Sequence, residues 1–198
     1  MHISEGVLSG PVLLGGAALA VGGTAVGLKS IDYDRIMSVA ILSAAFFIAS
    51  LIHVPIGPAN GHLILGGLLG VVLGWAAFPS ILVALTLQAV LFQYGGLTVL
   101  GVNTFNMAAP AVACFYVFRP MLAKSGPNRF AAAFACGFLA MLLSAVLTAG
   151  ALALSGDEFR EAAQVLLVAH LPIMVVEGLV TAFTYSFLAK VKPEVLTC

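Results

Sequence analysis

Long apolar runs, separated by short polar or glycine- and proline-rich connections, dominate the chain. Seven of these runs are apolar enough to be membrane-spanning helices, for which about 20 residues cross a ~30 Å hydrocarbon core. We place them at residues 11–28, 36–53, 62–77, 80–93, 104–119, 129–154 and 162–189. The pattern predicts an all-α, polytopic membrane protein with about seven transmembrane helices. It forms one membrane domain, 1–198, in which an N-terminal loop (1–10) precedes a helical bundle (11–198).

Composition supports this class and removes several others. Hydrophobic residues make up 62% of the chain and charged residues 8%, against about 25% charged in a soluble domain. The formal net charge of zero argues against nucleic-acid binding. No Walker A, HExxH or GxSxG motif occurs, so we expect no enzymatic activity in this chain. Ala18-Leu19-Ala20 resembles a signal-peptidase site, but the preceding stretch lacks Lys and Arg and carries Glu5, so we retain residues 1–20.

Positive charges orient the predicted helices. With the N-terminus outside, the inner connections hold seven of the eight Lys and Arg residues, and the outer ones hold only Arg160. This distribution satisfies the positive-inside rule and places the C-terminus in the cytoplasm. Met1, the loop from His53 to His62 and the loop from Gly95 to Asn106 then share the external side.

Glycines at 66, 70 and 74 recur every four residues in the third run. Such a small-residue face allows another helix to approach closely. Glycine is also common in membrane helices generally, so the spacing leaves both interpretations open.

The first two residues carry a possible metal chelate. The α-amine of Met1, the amide nitrogen of His2 and the His2 imidazole Nδ1 can close two fused chelate rings in one plane. One corner of a square then remains open. Square-planar ligation by nitrogen favours Ni(II) or Cu(II) over Zn(II), which prefers a tetrahedron.

His62 is the candidate for the fourth nitrogen, because it lies on the same external side, beside a loop that can bend toward the N-terminus. An interfacial histidine bonded to the main chain is the alternative. His53, nine residues earlier, is assigned a supporting role.

Four further polar residues are candidates for holding the N-terminal loop. Asn103 and Asn106 are one helical turn apart and can face the same spot; the alternative for Asn103 is that it caps its helix. His170 and Glu177 share a face of the last run, and an ionisable group at this depth is typically functional or paired. We expect them to support the site rather than to bind metal directly.

Four separated motifs resemble the CbiM/NikM family, the substrate-capture (S) subunits of energy-coupling-factor (ECF) transporters for cobalt and nickel. They are Met1-His-Ile-Ser-Glu-Gly, Pro55-Ile-Gly57-Pro58 leading to His62-Leu63, Gly95-Gly-Leu-Thr-Val-Leu-Gly101-Val-Asn103-Thr-Phe-Asn106, and His170-Leu-Pro172 with Glu177-Gly178.

The resemblance implies a seven-helix fold with the N-terminal loop inserted into the bundle. It implies that the Met1 amine, the His2 amide and imidazole, and a third-span histidine, here His62, hold the metal. It also implies a membrane coupling (T) subunit, ATP-binding cassette ATPase subunits and, in some systems, a small accessory membrane protein as partners.

We therefore expect high-affinity Ni(II) or Co(II) uptake across a prokaryotic cytoplasmic membrane, with nickel slightly favoured and no cofactor beyond the transported ion. The alternative is a stand-alone channel, or a proton-coupled secondary transporter that uses His170 and Glu177. An intramembrane metalloenzyme is disfavoured, because four nitrogens leave no open position in the plane.

Overall fold

The computed structural model of the chain describes residues 2–56, 59–123, 126 and 128–196, and only the main chain at 53–56 and 59–61. It is a helical bundle, as predicted. The helices are α1 (Gly10–Lys29), α2 (Ile36–Leu51), α3 (Gly66–Leu73), α4 (Ala77–Phe92), α5 (Leu100–Leu122), α6 (Asn128–Ala153), α7 (Arg160–Ala169) and α8 (Leu171–Val191). Short 3-10 turns lie at Tyr33–Arg35, Gly74–Ala76, Asp157–Phe159 and Pro193–Leu196.

Six helical stretches of the described chain are long and apolar enough to cross a membrane, and one of them, Gly66–Phe92, contains both α3 and α4. At Gly74, φ of 56° and ψ of −124° break this stretch. Glycine adopts this backbone without strain because it lacks a Cβ.

Hydrogen bonds show that α3 and α4 run in opposite directions. The Val72 carbonyl, near the end of α3, accepts a hydrogen bond of 2.7 Å from Arg35, just before α2 begins. The α4 helix then follows α2 in parallel: Ser43 Oγ donates to the Ser80 carbonyl (2.8 Å), and Gln88 bonds to Ser50 further along both helices. The described chain thus passes through the bundle seven times, and α3 makes one of these passages with only eight residues.

The α3 helix lies at the centre of the bundle, and every one of its residues is buried. A Cβ added at Gly70 would lie 2.1 Å from the Ala111 carbonyl oxygen in α5, and one at Gly67 would lie 2.5 Å from Gly137 Cα in α6. Glycine is required at both positions for close helix packing. Of the three glycines spaced by four, Gly70 allows close approach and Gly74 forms the break, whereas Gly66 makes only ordinary contacts.

Two expected elements differ from those observed. The third run does not become helical at His62: residues 53–56 and 59–62 pair as an antiparallel hairpin, β1 (His53–Ile56) with β2 (Ala59–His62), and α3 begins at Gly66. The last run, expected as one helix over 162–189, is divided at His170 into α7 and α8. Pro172 lies in the first turn of α8, where its missing N–H costs nothing, whereas inside a continuous helix it would break a hydrogen bond.

The charges separate between the two ends of the bundle. One end carries the C-termini of α1, α5 and α8 and the N-termini of α2 and α6, with six of the eight basic residues: Lys29, Arg35, Arg119, Arg129, Lys190 and Lys192. We call it the basic end. Lys124 lies outside the described residues. Arg160 lies toward the opposite end and pairs with Asp157 at 2.8 Å. His2 lies at that opposite end, which we call the histidine end.

Candidate metal site

The N-terminal segment folds into the histidine end of the bundle, as predicted. Asn103 of α5 makes two hydrogen bonds of 3.1 Å with the main chain of Ile3: its Oδ1 accepts from the Ile3 N–H, and its Nδ2 donates to the Ile3 carbonyl. The Ile3 and Leu8 side chains are buried. The Ser9 N–H donates to Ser155 Oγ at 3.1 Å, just after α6. Residues 2–9 are thus attached to two helices of the bundle.

Glu5 attaches the outer edge of this segment to the loop between α4 and α5. Its Oε1 accepts hydrogen bonds from the Thr98 N–H at 3.0 Å and from the Thr98 hydroxyl at 3.2 Å. Both bonds lower the pKa of the Glu5 carboxyl below its ordinary value, and the bond from the Thr98 main chain has the larger effect. Gly96 leaves room for the carboxylate, since an added Cβ would lie 2.0 Å from Glu5 Cγ.

His2 and His62 meet directly. Their ring centres are 4.6 Å apart, and the ring planes are inclined by 28°. Two imidazoles bound in cis positions to one metal, at about 2.0–2.1 Å per bond, would have centres about 4.4 Å apart, and two in trans positions about 6 Å. The observed separation fits two neighbouring corners of a square.

His62 is buried, and its ring is held in one orientation. Its Nδ1 lies 3.1 Å from the Leu63 carbonyl oxygen. Because a carbonyl only accepts, Nδ1 donates the proton, and in the neutral ring Nε2 carries the lone pair. A hydrogen bond from one ring nitrogen to a carbonyl is the usual way in which a protein prepares the other nitrogen for a metal.

Glu177 holds the segment that follows His62. Its Oε1 accepts hydrogen bonds from the main-chain N–H groups of Ile64 and Leu65, the latter at 2.8 Å. Leu65 has φ of 54°, a left-handed conformation that is unfavourable for a leucine. The fully buried carboxyl of α8 therefore fixes both the direction and the strained turn of the main chain between His62 and α3.

Tyr94 covers the His2 ring from the loop after α4. The centres of the two rings are 6.3 Å apart, with planes inclined by 28°, and Tyr94 also lies against Phe92. Neither Tyr94 nor Thr98 was among the predicted site residues, although the predicted orientation of the helices puts their loop on the same side as Met1. The two adjacent glycines at 95 and 96 were the available signal, since they allow the N-terminal segment to approach the loop closely.

The remaining candidates lie apart from this pair or outside the description. Asn106 does not share the partner of Asn103: its side-chain amide donates to the Thr148 hydroxyl at 3.5 Å, and its main-chain carbonyl accepts from the Ser144 hydroxyl. His170 Nδ1 bonds to the Leu166 carbonyl at 2.7 Å, one turn back in α7. The main chain of His53 pairs with that of His62 across the hairpin, but its side chain is not described. Met1 lies outside the described residues.

The described side chains include no group of three or more His, Cys, Asp or Glu residues able to hold a metal ion. Two imidazoles alone make a weak site. The arrangement can nevertheless bind a metal strongly if main-chain nitrogens at the start of the chain complete the set, because His2 lies within that segment.

Comparisons with known proteins show that the chain is similar to metal transport proteins over nearly its whole length. The family model of CbiM, described as the cobalt uptake substrate-specific transmembrane region, matches residues 2–195. A Haemophilus influenzae protein named only for metal transport is 41% identical, over 99% of this chain and 97% of its own. The cobalt transport protein CbiM of Kyrpidia tusciae is 33% identical, over 100% of this chain and 86% of its own.

Two further likenesses extend the comparison. The fused nickel transport protein NikMN of Rhodobacter capsulatus is 37% identical over 57% of this chain, which corresponds to 35% of that longer protein. A crystal structure of a transition metal transporter superimposes with a TM-score of 0.81 at 30% identity, covering 96% of this chain and 93% of the other.

Proposed function

The chain belongs to the CbiM family of cobalt and nickel transport membrane proteins, and from this premise we propose that it is the high-affinity Ni(II)- or Co(II)-binding, substrate-specific subunit of an ECF-type ATP-driven importer. The metal ion is its substrate. The chain is a multi-pass membrane protein, and we place it in the cytoplasmic membrane of a prokaryote with its histidine end outside.

Four nitrogens form the proposed ligand set: the Met1 amine, the His2 amide, His2 Nδ1 and His62 Nε2. In this set His62 lies opposite the His2 amide and next to the His2 imidazole. The 4.6 Å separation of the two rings supports this neighbouring arrangement and carries the proposal. A plane of four nitrogens favours Ni(II), although Co(II) can occupy the same plane when the protein imposes it.

Two residues are proposed to position the ligands. Asn103 holds His2 through the Ile3 main chain, and Glu177 holds His62 through the Ile64 and Leu65 amides. The alternative of a proton relay from His170 to Glu177 lacks support, since His170 bonds to the Leu166 carbonyl and Glu177 bonds to the main chain just before α3.

Metal release is assigned to partner subunits. Metal enters from the outside, and a membrane coupling subunit with its ATPase subunits reorients this chain so that the ion leaves inward. This division of labour fits a sequence that lacks a nucleotide-binding motif.

Relocation of the α-amine tests the ligand set. Protein whose intact mass shows Met1 as its first residue is compared with protein that carries Gly-Pro before Met1, because the proline has no N–H and so prevents the extended terminus from forming a new planar chelate of its own. The extension turns the Met1 amine into an amide and moves the new amine out of the five-membered ring. We expect nickel affinity to fall by at least about 100-fold, because one of four ligands is lost.

Gly-Pro added after Cys198 is the matched control and should leave nickel affinity unchanged. Unchanged thermal unfolding without metal would show that the extended chain still folds. If the N-terminally extended protein binds nickel as tightly as the control, the amino-terminal ligand set is wrong. Competitive titration of the unmodified protein with Ni(II) and Co(II) then measures its preference between the two ions.

A further inference from the structure

A second cavity lies at the basic end, on the opposite side of the bundle from His2 and His62. It has a volume of about 350 Å³ and lies between the ends of α3, α5 and α8 and the start of α6. This volume is at the lower end of the range found for small-ligand pockets. Two guanidinium groups, those of Arg119 and Arg129, line it together with the Tyr185 ring.

Each guanidinium lies over an aromatic ring. The Arg119 guanidinium carbon is 5.2 Å from the centre of the Phe115 ring, and that of Arg129 is 5.3 Å from the centre of the Tyr185 ring. Arg129 is also fixed by a hydrogen bond of 2.8 Å from Nε to the Leu122 carbonyl. The rings hold the two charged groups beside the cavity and leave most of their N–H donors for another partner.

No carboxylate lines this cavity, and within the described chain neither guanidinium forms an ion pair. For the half-buried Arg129 this is unusual, because an arginine in such a position is normally matched by an acceptor of opposite charge, whereas Arg119 is exposed at the edge of the cavity. The α6 helix begins at Asn128, next to Arg129, and has no acidic residue in its first turn, so its dipole adds to the positive potential. The site is therefore built for an anion.

The geometry favours a phosphate group over a smaller anion. A planar guanidinium can donate two parallel hydrogen bonds to phosphate oxygens, and two guanidiniums can hold one phosphate from two sides. The cavity wall is otherwise apolar, with Val71, Leu122 and Leu196 among its residues, which suits the first methylene groups of a lipid's acyl chains. Basic pockets between helices at the cytoplasmic surface are where anionic lipid headgroups bind.

We propose that this cavity binds the phosphate group of a ligand, and that Arg119 and Arg129 are its two anchors. The source is the headgroup of an anionic phospholipid of the inner leaflet or free phosphate. The proposal is independent of the metal site, from which it is separated by the length of the bundle.

Titration of the purified full-length chain with phosphatidylglycerol, followed by native mass spectrometry, tests the proposal. The variants are Arg119→Gln, Arg129→Gln and the double variant. Removing the Arg129 side chain leaves the Leu122 carbonyl paired, since it also accepts from the Tyr185 hydroxyl at 3.1 Å, so the variants should fold. Arg160→Gln removes one positive charge at the other end and is the matched control.

We expect phosphatidylglycerol to bind at least about tenfold more weakly to each single variant than to the Arg160→Gln control, because each loses charge-assisted hydrogen bonds. Nickel affinity should be unchanged in all of them. Inorganic phosphate, titrated separately, distinguishes the two sources. The cavity is a lipid site if phosphatidylglycerol binds in an arginine-dependent way and millimolar phosphate does not displace it. Arginine-dependent phosphate binding without lipid binding identifies free phosphate.

Three outcomes would overturn the proposal. One is equal binding of phosphatidylglycerol to the double variant and to the control. Another is equally tight binding of zwitterionic phosphatidylcholine, which would show that the headgroup charge is not recognised. The third is binding of neither probe to the unmodified protein.

Discussion

Asn103 offers a direct test of how the N-terminal segment is held. Asn103→Ala removes both hydrogen bonds to Ile3. If the segment stayed in place, the buried N–H and carbonyl of Ile3 would lose their partners at a cost of about 1–3 kcal/mol each, or about 2–6 kcal/mol together. Keeping the Ile3 side chain buried gains only about 1.5–3 kcal/mol. At the middle of these two ranges, about 4 against about 2 kcal/mol, the penalty exceeds the gain, so we expect the first residues to detach while the helices remain folded.

Detachment weakens metal binding by an amount that can be estimated. In the variant, binding must order His2 and Ile3 again, at about 1–2 kcal/mol of main-chain entropy per residue. The total of about 2–4 kcal/mol corresponds to nickel affinity lower by about 30-fold to 1,000-fold. Leu8 and the bond from Ser9 to Ser155 lie further along the segment and should stay in place.

The assay is competition for nickel against a chelator of known affinity, with thermal unfolding of the metal-free protein measured in parallel. Asn106→Ala is the matched control: it removes a buried asparagine one turn away in the same helix, whose partner is Thr148 rather than the N-terminal segment. Its nickel affinity should stay within about threefold of the unmodified protein. Equal losses of affinity in the two variants would refute the assignment of Asn103 as the anchor of His2.

Two further predictions concern the carboxyl groups. Glu177→Leu leaves the Ile64 and Leu65 amides without an acceptor. This variant should lose about 2–6 kcal/mol of stability and at least about tenfold in nickel affinity. Glu177→Gln keeps an acceptor oxygen, so its losses of stability and of nickel affinity should be much smaller. Similar losses in the two variants, measured by unfolding and nickel titration, would contradict this role. The second prediction concerns pH. The pKa of Glu5 is lower in the folded protein than its ordinary value, so its bonds to Thr98 stabilise the fold at every pH above the ordinary carboxyl pKa. This stabilisation is lost only as the pH falls through the lower pKa of the folded protein. Carbon-13 NMR of the Glu5 carboxyl should show a lower pKa than in Thr98→Val, and equal values would show that the hydroxyl contributes nothing.

Several features of the fold follow from local or one-dimensional properties of the chain. Apolar length predicts the helices, and the placing of Lys and Arg in alternate connections predicts the basic end. These two patterns together predict that the N-terminus, His62 and the Gly95–Asn106 loop share one side, and the structure places His2, His62 and that loop together. The meeting of His2 with His62 follows from that topology and from the chelating chemistry of the first two residues, without knowledge of any individual contact.

Other features depend on partners far away in sequence. An apolar run does not reveal that α3 is only eight residues long. A helix buried among other helices can be short, because protein groups rather than water can form hydrogen bonds with the free main-chain N–H and carbonyl groups at its ends. The main chain before α3 is satisfied by Glu177, 112 residues from Leu65, and that near its end by Arg35. Asn103 was expected to face the same spot as Asn106, yet it bonds to Ile3, 100 residues away. Periodicity carries no information about such pairs.

The two imidazoles are held by different helices, and this has a measurable consequence. His2 is positioned through Asn103 in α5, and His62 through Glu177 in α8. The two anchors share no hydrogen-bond partner, so the losses of stability in Asn103→Ala and Glu177→Leu should add within about 0.5 kcal/mol in the double variant. Metal affinity should behave differently, because in the proposed ligand set both anchors serve one ion.

Once one imidazole is displaced, the ion has already lost a ligand, and misplacing the second costs less than it would in an intact site. The double variant should therefore bind nickel more tightly than the product of the two single losses predicts, by a coupling energy above about 0.5 kcal/mol. Unfolding of the metal-free proteins and nickel titration of all four proteins complete the cycle. Additive losses of affinity would mean that His2 and His62 do not bind the same ion, whatever the fold of the bundle around them.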